Sequence, residues 1–296
     1  MDKEPKFAVG GSDPDLAKAK SALYSALVAD AKIVRGRIVS LLELLLPYLN
    51  DPANYTADGT RLLSRPKSIL MGRIKRSFPE IIRKIDFDIR SSVRSAINTT
   101  VDSQIESMSK KKLPVPTRQE ADIVKEEALL GLGRDFPRGS GVTYENRLSR
   151  IERVHSKQLE RIVGSTHTEN AKSKITSDVR TALLHSSPGP TPVQNGSLAK
   201  KVMRLSSAES MRLVNEAESG LFASAGVEFA YWRLSPSHKW EGGGEICEQM
   251  ASRESSDINA LVKQRDAALM TEGLYLIKNW PSYPHPFCKC FAEAAI

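Results

Sequence analysis

From Phe78 to Met108 an apolar residue returns every three or four positions: Phe78, Ile82, Ile85, Ile89, Val93, Ile97, Val101, Ile105 and Met108. That period puts all nine on one stripe of an α-helix, whereas residues sharing a strand face recur every two. Ser77-Phe78-Pro79-Glu80 has the form of a capping box and predicts the start of the helix. Lys110-Lys111-Lys112 and Pro114 predict its end. The stripe is rich in Ile and Val, so tertiary packing, not intrinsic propensity, must hold this helix.

An earlier stretch repeats the pattern. Asp13-Pro14 offers an N-cap followed by proline at the first helical position. Leu16, Leu23, Leu27, Ala31, Val34, Ile38, Leu45 and Leu49 follow, mostly at steps of three, four or seven, and Pro47 predicts the close. Such a helix is about 50 Å long, which suits an elongated protein better than a compact enzyme. Residues 50–66 are turn-rich.

Shorter helices are predicted around Ile123 to Leu132, from Tyr144 through Leu148, Ile151, Val154 and Leu159 to Ile162, and from Glu169 to His185 with Thr168 as N-cap. Another runs from Leu198 to Ala225 and stops at Gly226, a natural C-cap. The runs GLGRDFPRGSG (131–141) and SSPGPTPVQNGS (186–197) read as a hinge and a linker. Val227 to Arg233 alternates and is aromatic, the pattern of a strand. The expected fold is mainly α: long amphipathic helices with a small C-terminal α+β domain. Residues 1–12 are read as a mobile N-terminal arm, 13–190 as an extended helical region and 191–296 as the α+β domain.

The net charge of +8 in 296 residues is concentrated. Arg61, Arg65, Lys67, Arg73, Lys75, Arg76, Arg83, Lys84, Arg90 and Arg94 face only Glu80, Asp86 and Asp88 in the same stretch, a local excess of seven positive charges. Two readings stay open: a solvated helix face, or a surface for DNA phosphates or an acidic protein partner. Aromatic residues are scarce there, which disfavours the base stacking that single-strand recognition uses. The most apolar run, Leu41 to Leu49, is too short to cross a membrane and is broken by Glu43 and Pro47. The sequence MDKEPKF lacks the apolar core of a secretory signal, so no membrane association is expected.

All three tryptophans and all three cysteines fall after residue 230. His285-Pro286-Phe287-Cys288-Lys289-Cys290 places three soft ligands within six residues, and His238 and Cys247 lie upstream across a helix-like insert, Ile258 to Leu269. Four of these five, for example Cys247, His285, Cys288 and Cys290, could close a tetrahedral Zn2+ site. The alternative is that Cys288 and Cys290 are small packed residues on a short strand. An odd cysteine count argues against a disulfide framework.

Catalytic readings are weaker. Cys288 follows His285 by three positions, with prolines on both sides of the histidine, and no orienting acid is near, so a nucleophilic pair is disfavoured. Gly139-Ser140-Gly141 lacks the spacing and the preceding strand of a nucleophile elbow. Gly242-Gly243-Gly244 reads as a flexible turn. His155, His167 and His185 are read as surface or core residues of helices.

The segment from Ser207 onward is similar to the C-terminal signature of the Mu F-like minor head (head morphogenesis) proteins of tailed bacteriophages. In that family a helix enters a strand ending in an aromatic residue, then come a His and a Cys, a Gly-Leu-Tyr-like turn and a closing Pro-His-Pro-x-Cys-x-Cys. Here the corresponding order is Gly226-Val227, Tyr231-Trp232-Arg233, Ser237-His238, Cys247, Gly273-Leu274-Tyr275 and Pro284-His285-Pro286-Phe287-Cys288-Lys289-Cys290. Phe-Cys-Lys-Cys stands where members commonly have Asn-Cys-Arg-Cys, and Ala208-Glu209 where they tend to have Thr-Glu, which makes this a divergent member. The resemblance implies a non-enzymatic structural protein of the virion head, assembled in the host cytoplasm in multiple copies. It would associate with the portal protein, the major capsid protein or both, and some members are thought to contact packaged DNA.

Overall fold

The computed structural model of the chain describes residues 14–135, 140–185, 196–233, 274–276 and 291–294. It is mainly helical: α1 (Pro14–Asn50), α2 (Ser64–Lys110), α3 (Arg118–Leu130), α4 (Tyr144–Gly164), α5 (Ala171–Leu184) and α6 (Leu198–Ser224). Strands β1 (Phe229–Arg233), β2 (Leu274–Leu276) and β3 (Phe291–Ala294) form one antiparallel sheet in the order β2-β1-β3. A small sheet beside long helices is the architecture expected from the periodicities. No helix among the described residues is long and apolar enough to cross a membrane.

Several boundaries differ from the local signals. Helix α2 starts at Ser64, not at Ser77, and runs through Pro79. Leu70 and Ile74 are fully buried in phase with Phe78, so extending the apolar stripe N-terminally outweighs the amide hydrogen bond that proline removes. Likewise α1 continues past Pro47 to Asn50 because Leu49 is buried. Its last carbonyls find partners in the following loop: Asn54 Nδ2 donates to Tyr48 O at 2.9 Å and the Tyr55 hydroxyl to Leu49 O at 2.8 Å. Helix α3 begins earlier than its apolar residues suggest, at a capping box in which the Thr117 hydroxyl accepts from the Glu120 amide and the Glu120 carboxylate accepts from the Thr117 amide. Helix α5 starts after Asn170, held at φ 51°, so Thr168 is not its cap.

The chain forms two compact units whose segments alternate along the sequence. Unit 1 gathers described residues within 1–28, 92–134 and 207–296; unit 2 gathers 29–91 and 135–206. The boundaries therefore fall inside α1, α2 and α6, whereas the sequence reading divided the chain in linear order.

Unit 2 buries aliphatic stripes from five helices, including Ile38, Leu41 and Leu45 of α1, Ile74, Phe78 and Ile85 of α2, Leu159 of α4, Val179 of α5 and Val202 of α6. The loop before α2 is tied to the α4–α5 connection, where the His167 and Ala171 amides donate to Thr60 O and Gly59 O at 2.8 and 2.9 Å. Unit 1 buries Val93, Ile97, Val101 and Met108 of α2, Ala121 and Ala128 of α3, and Leu213, Val214, Ala217, Leu221 and Phe222 of α6. Leu23 of α1 packs with Ala96 and Val214. Within the sheet Ala230, Trp232, Ala292 and Ala294 are buried. Two residues past the end of α6 the chain turns at Gly226, whose φ of +70° suits a residue without Cβ.

Candidate functional site

The five candidate metal ligands, His238, Cys247, His285, Cys288 and Cys290, lie outside the described residues, as does the segment 258–269. Among the described residues no group of His, Cys, Asp and Glu side chains is arranged to hold a metal ion.

The ten basic residues divide between the units: Arg94 belongs to unit 1 and the other nine to unit 2. They also divide by what they do. Arg73 lies over the Tyr48 ring at 4.5 Å and donates to the Tyr48 hydroxyl at 2.9 Å, so it bridges α2 to α1. Lys84 pairs with Glu80 at 2.7 Å, and Arg90 with Asp86 at 3.0 Å and Glu145 at 2.7 Å. Arg90 also lies over the Tyr144 ring. Lys67 is half-buried, close to Gly164.

Arg65, Arg76 and Arg83 are exposed and make no ion pair among the described residues. They stand eleven and seven residues apart, and Arg90 is seven further on. Both intervals return to the same side of a helix, so these four arginines form one row about 38 Å long, opposite the buried stripe. Phe87 lies beside the row and is 72% exposed. Sequence alone marked the charge of the stretch but not which of its members stay available.

A second constellation escaped the sequence reading. Helix α6 carries a buried polar strip: Glu209, Ser210, Arg212, Asn215 and Glu218 are all nearly inaccessible. The Arg212 guanidinium donates from Nε and Nη2 to Glu209 Oε2 at 3.0 and 2.8 Å. It also donates to Glu216 Oε1 at 2.9 Å and to the Gly131 carbonyl at 2.9 Å. One cation thus bridges two carboxylates and ties them to the turn that ends α3, leaving Glu216 Oε2 buried without a partner among the described residues. A Cβ on Gly131 would stand 2.4 Å from Leu213 Cδ2 and 2.9 Å from Glu216 Oε2, so any larger residue there would displace those side chains. Four residues before Met108, α2 buries Gln104, while Ile105, which the apolar period favoured, is only half-buried.

Gln104 Nε2 donates to Glu218 Oε1 at 2.8 Å and to the Ala292 carbonyl at 2.7 Å, and the Ala292 amide donates to Glu218 Oε2 at 3.4 Å. The two side chains therefore take both hydrogen-bonding groups of one β3 residue, as a neighbouring strand would. Glu293, next along β3, is buried and pairs with Lys111 of α2. An edge strand is closed off by side chains from two helices instead of by a further strand. The signals in the sequence were the Glu209-Arg212-Glu216 spacing, which favours ion pairing along one helix face, and a glutamine interrupting the Val101–Met108 stripe.

Two histidines complete the inventory. Ser165 Oγ lies 2.9 Å from His167 Nε2, but the serine hydroxyl donates to the Ile162 carbonyl at 2.6 Å. The hydroxyl proton is thereby engaged in capping α4, and the oxygen accepts from the imidazole; the pair closes a helix end. His155 sits in the core face of α4 at 1% exposure, between Leu148 and Leu159. Neither ring nitrogen has a hydrogen-bond partner, although Gln158 is close. Burial, and then the positive charge of Lys201 on α6, push its pKa down to about 4. No family model, curated protein or solved structure matches the chain.

Proposed function

We propose that this chain is a structural, non-catalytic protein of a bacteriophage head, a minor head protein that associates with portal or major capsid proteins in several copies per virion. The observation that carries this reading is the sheet. The resemblance rests on short pieces far apart in sequence; two of them meet there, and a third directly precedes the last strand in the sequence. Tyr231-Trp232-Arg233 closes β1, Leu274-Tyr275 lies in β2, and β3 starts at Phe291 directly after Cys290. Ala230 pairs with Tyr275 and Trp232 with Ala292. Pieces that pair in one sheet behave as a single folding unit, as a domain signature must. The clasp from Gln104 and Glu218 ties that sheet to long helices, whose outer faces supply docking surface.

The test is incorporation. Heads assembled with the full chain should contain it beside portal or capsid protein in cryo-EM density and in particle mass spectra. Chain truncated before Val227 should be missing from them. Particles that never contain the full chain at any assembly stage overturn the reading.

A second reading, a DNA-binding accessory factor of packaging or ejection, is favoured by the exposed, unpaired Arg65, Arg76 and Arg83. Three phosphate contacts imply a slope of about −3 for log affinity against log salt concentration. A flat salt response disposes of it.

A further inference from the structure

Two exposed helix faces of this chain are complementary to each other in charge and in apolar content. The first is the arginine row of α2 in unit 2, with Arg65, Arg76, Arg83 and the exposed Phe87. The second is the outer face of α3 in unit 1. Its buried side holds Ala121, Val124 and Ala128, so the opposite side carries Ile123, Glu126, Glu127 and Leu130. Ile123 is 50% and Leu130 67% exposed. Lys125 is committed to Asp102 at 2.8 Å, whereas Glu126 and Glu127 make no ion pair among the described residues. Apolar surface and two carboxylates thus share one exposed stripe, which a basic face carrying an exposed aromatic would complement.

We propose that the occupant of each face is the other face on a second copy of this chain: α3 of one molecule lies along the arginine row of α2 in the next. The repeat lengths agree. Ile123 and Leu130 are seven residues apart, as are Arg76, Arg83 and Arg90, so two helices lying side by side keep the same contacts over successive turns. In that packing Glu126 and Glu127 meet Arg76 and Arg83, while Ile123 and Leu130 cover Phe87. Duplex DNA would neutralise the arginines but would leave Phe87 in water. Because the two faces differ, the contact either repeats head-to-tail into a ring or string of copies or is made twice in a reciprocal pair. The inference stands independently of the phage-head reading.

The full chain should show concentration-dependent self-association, to a dimer or beyond, by sedimentation velocity at low ionic strength, weakening as salt rises. Glu126→Lys with Glu127→Lys, and separately Arg76→Glu with Arg83→Glu, should each yield monomers, raising the dissociation constant at least about tenfold. Mixing the two charge-reversed variants in equal amounts should restore assembly, since the now-basic α3 of one meets the now-acidic α2 of the other and the remaining faces keep their original signs. Leu130→Asp should also dissociate the wild-type assembly, a check that does not depend on charge reversal. Circular dichroism establishes that each variant is folded before it is scored. A monomeric wild type, folded single-face variants that still assemble, or a mixture that stays monomeric each overturns the proposal. A monomer that binds duplex DNA through Arg76 and Arg83, indifferent to changes at Glu126 and Glu127, overturns it in favour of the nucleic-acid reading.

Discussion

Helix α2 belongs to both units, and its two halves are built differently. The half in unit 2 buries Leu70, Ile74, Phe78, Ile81, Ile82, Ile85 and Ile89, and keeps its charges on the outside. The half in unit 1 interleaves Val93, Ile97, Val101 and Met108 with Ser92, Thr100, Gln104 and Ser107, all buried. An apolar stripe packs against any surface of the right shape. A buried polar group tolerates only partners that complete its hydrogen bonds, because leaving it unsatisfied costs the full desolvation penalty. Unit 2 is thus held by shape and area, and unit 1 additionally by matching at Gln104, Arg212 and Glu218, while Thr100 Oγ1, Gln104 Oε1 and Ser210 Oγ are buried without a partner among the described residues. That difference suits unit 1 to receiving a short strand such as β3, which brings few side chains of its own to pack.

The sharpest way to break this comparison is to replace one arginine in each unit. Arg212→Ala in unit 1 removes the guanidinium shared by Glu209, Glu216 and the Gly131 carbonyl, and should cost about 3–5 kcal/mol in urea denaturation. A loss under about 1 kcal/mol would mean the strip is solvated and the contrast between the units false.

Next in size is acidification, which should act on unit 2 through His155. Its folded pKa of about 4 lies below the ordinary 6.5, so the folded state binds fewer protons than the unfolded one between those values. Stability is therefore complete above about pH 6.5 and declines as pH falls towards 4, by about 3 kcal/mol in all. His155→Leu should flatten that part of the pH–stability curve; an unchanged slope would assign the acid sensitivity elsewhere.

Gln104→Leu preserves volume but removes the donor shared by Glu218 and the Ala292 carbonyl. It should cost about 1–3 kcal/mol and accelerate amide exchange in β1 and β3 selectively. Equal exchange in α4 and α5 would show that the clasp is not local to the sheet. The smallest effect is expected from Arg90→Ala in unit 2. Its pairs with Asp86 and Glu145 are exposed to water, and the change should be under about 1 kcal/mol at moderate salt. A loss as large as that of Arg212→Ala would erase the distinction between the two halves of the molecule.

What could be read from the sequence was what depends on neighbours a few residues away. The three-to-four-residue recurrence of Ile and Val specified α2, the Tyr144–Ile162 pattern specified α4, and alternation specified β1, because a helix or strand presents its own period whatever it packs on. Only the tertiary structure decided where α2 begins, since Leu70 and Ile74 gain more from joining the core than the Ser77–Glu80 cap gains from stopping the chain. It also decided that His155 fills a core position where Val154 was expected, and that Gln104 replaces Ile105 in the buried stripe. The partner of Gln104 lies 188 residues away at Ala292, and no periodicity carries information across such a distance. A buried amide is intelligible only when both ends of its hydrogen bonds are in view.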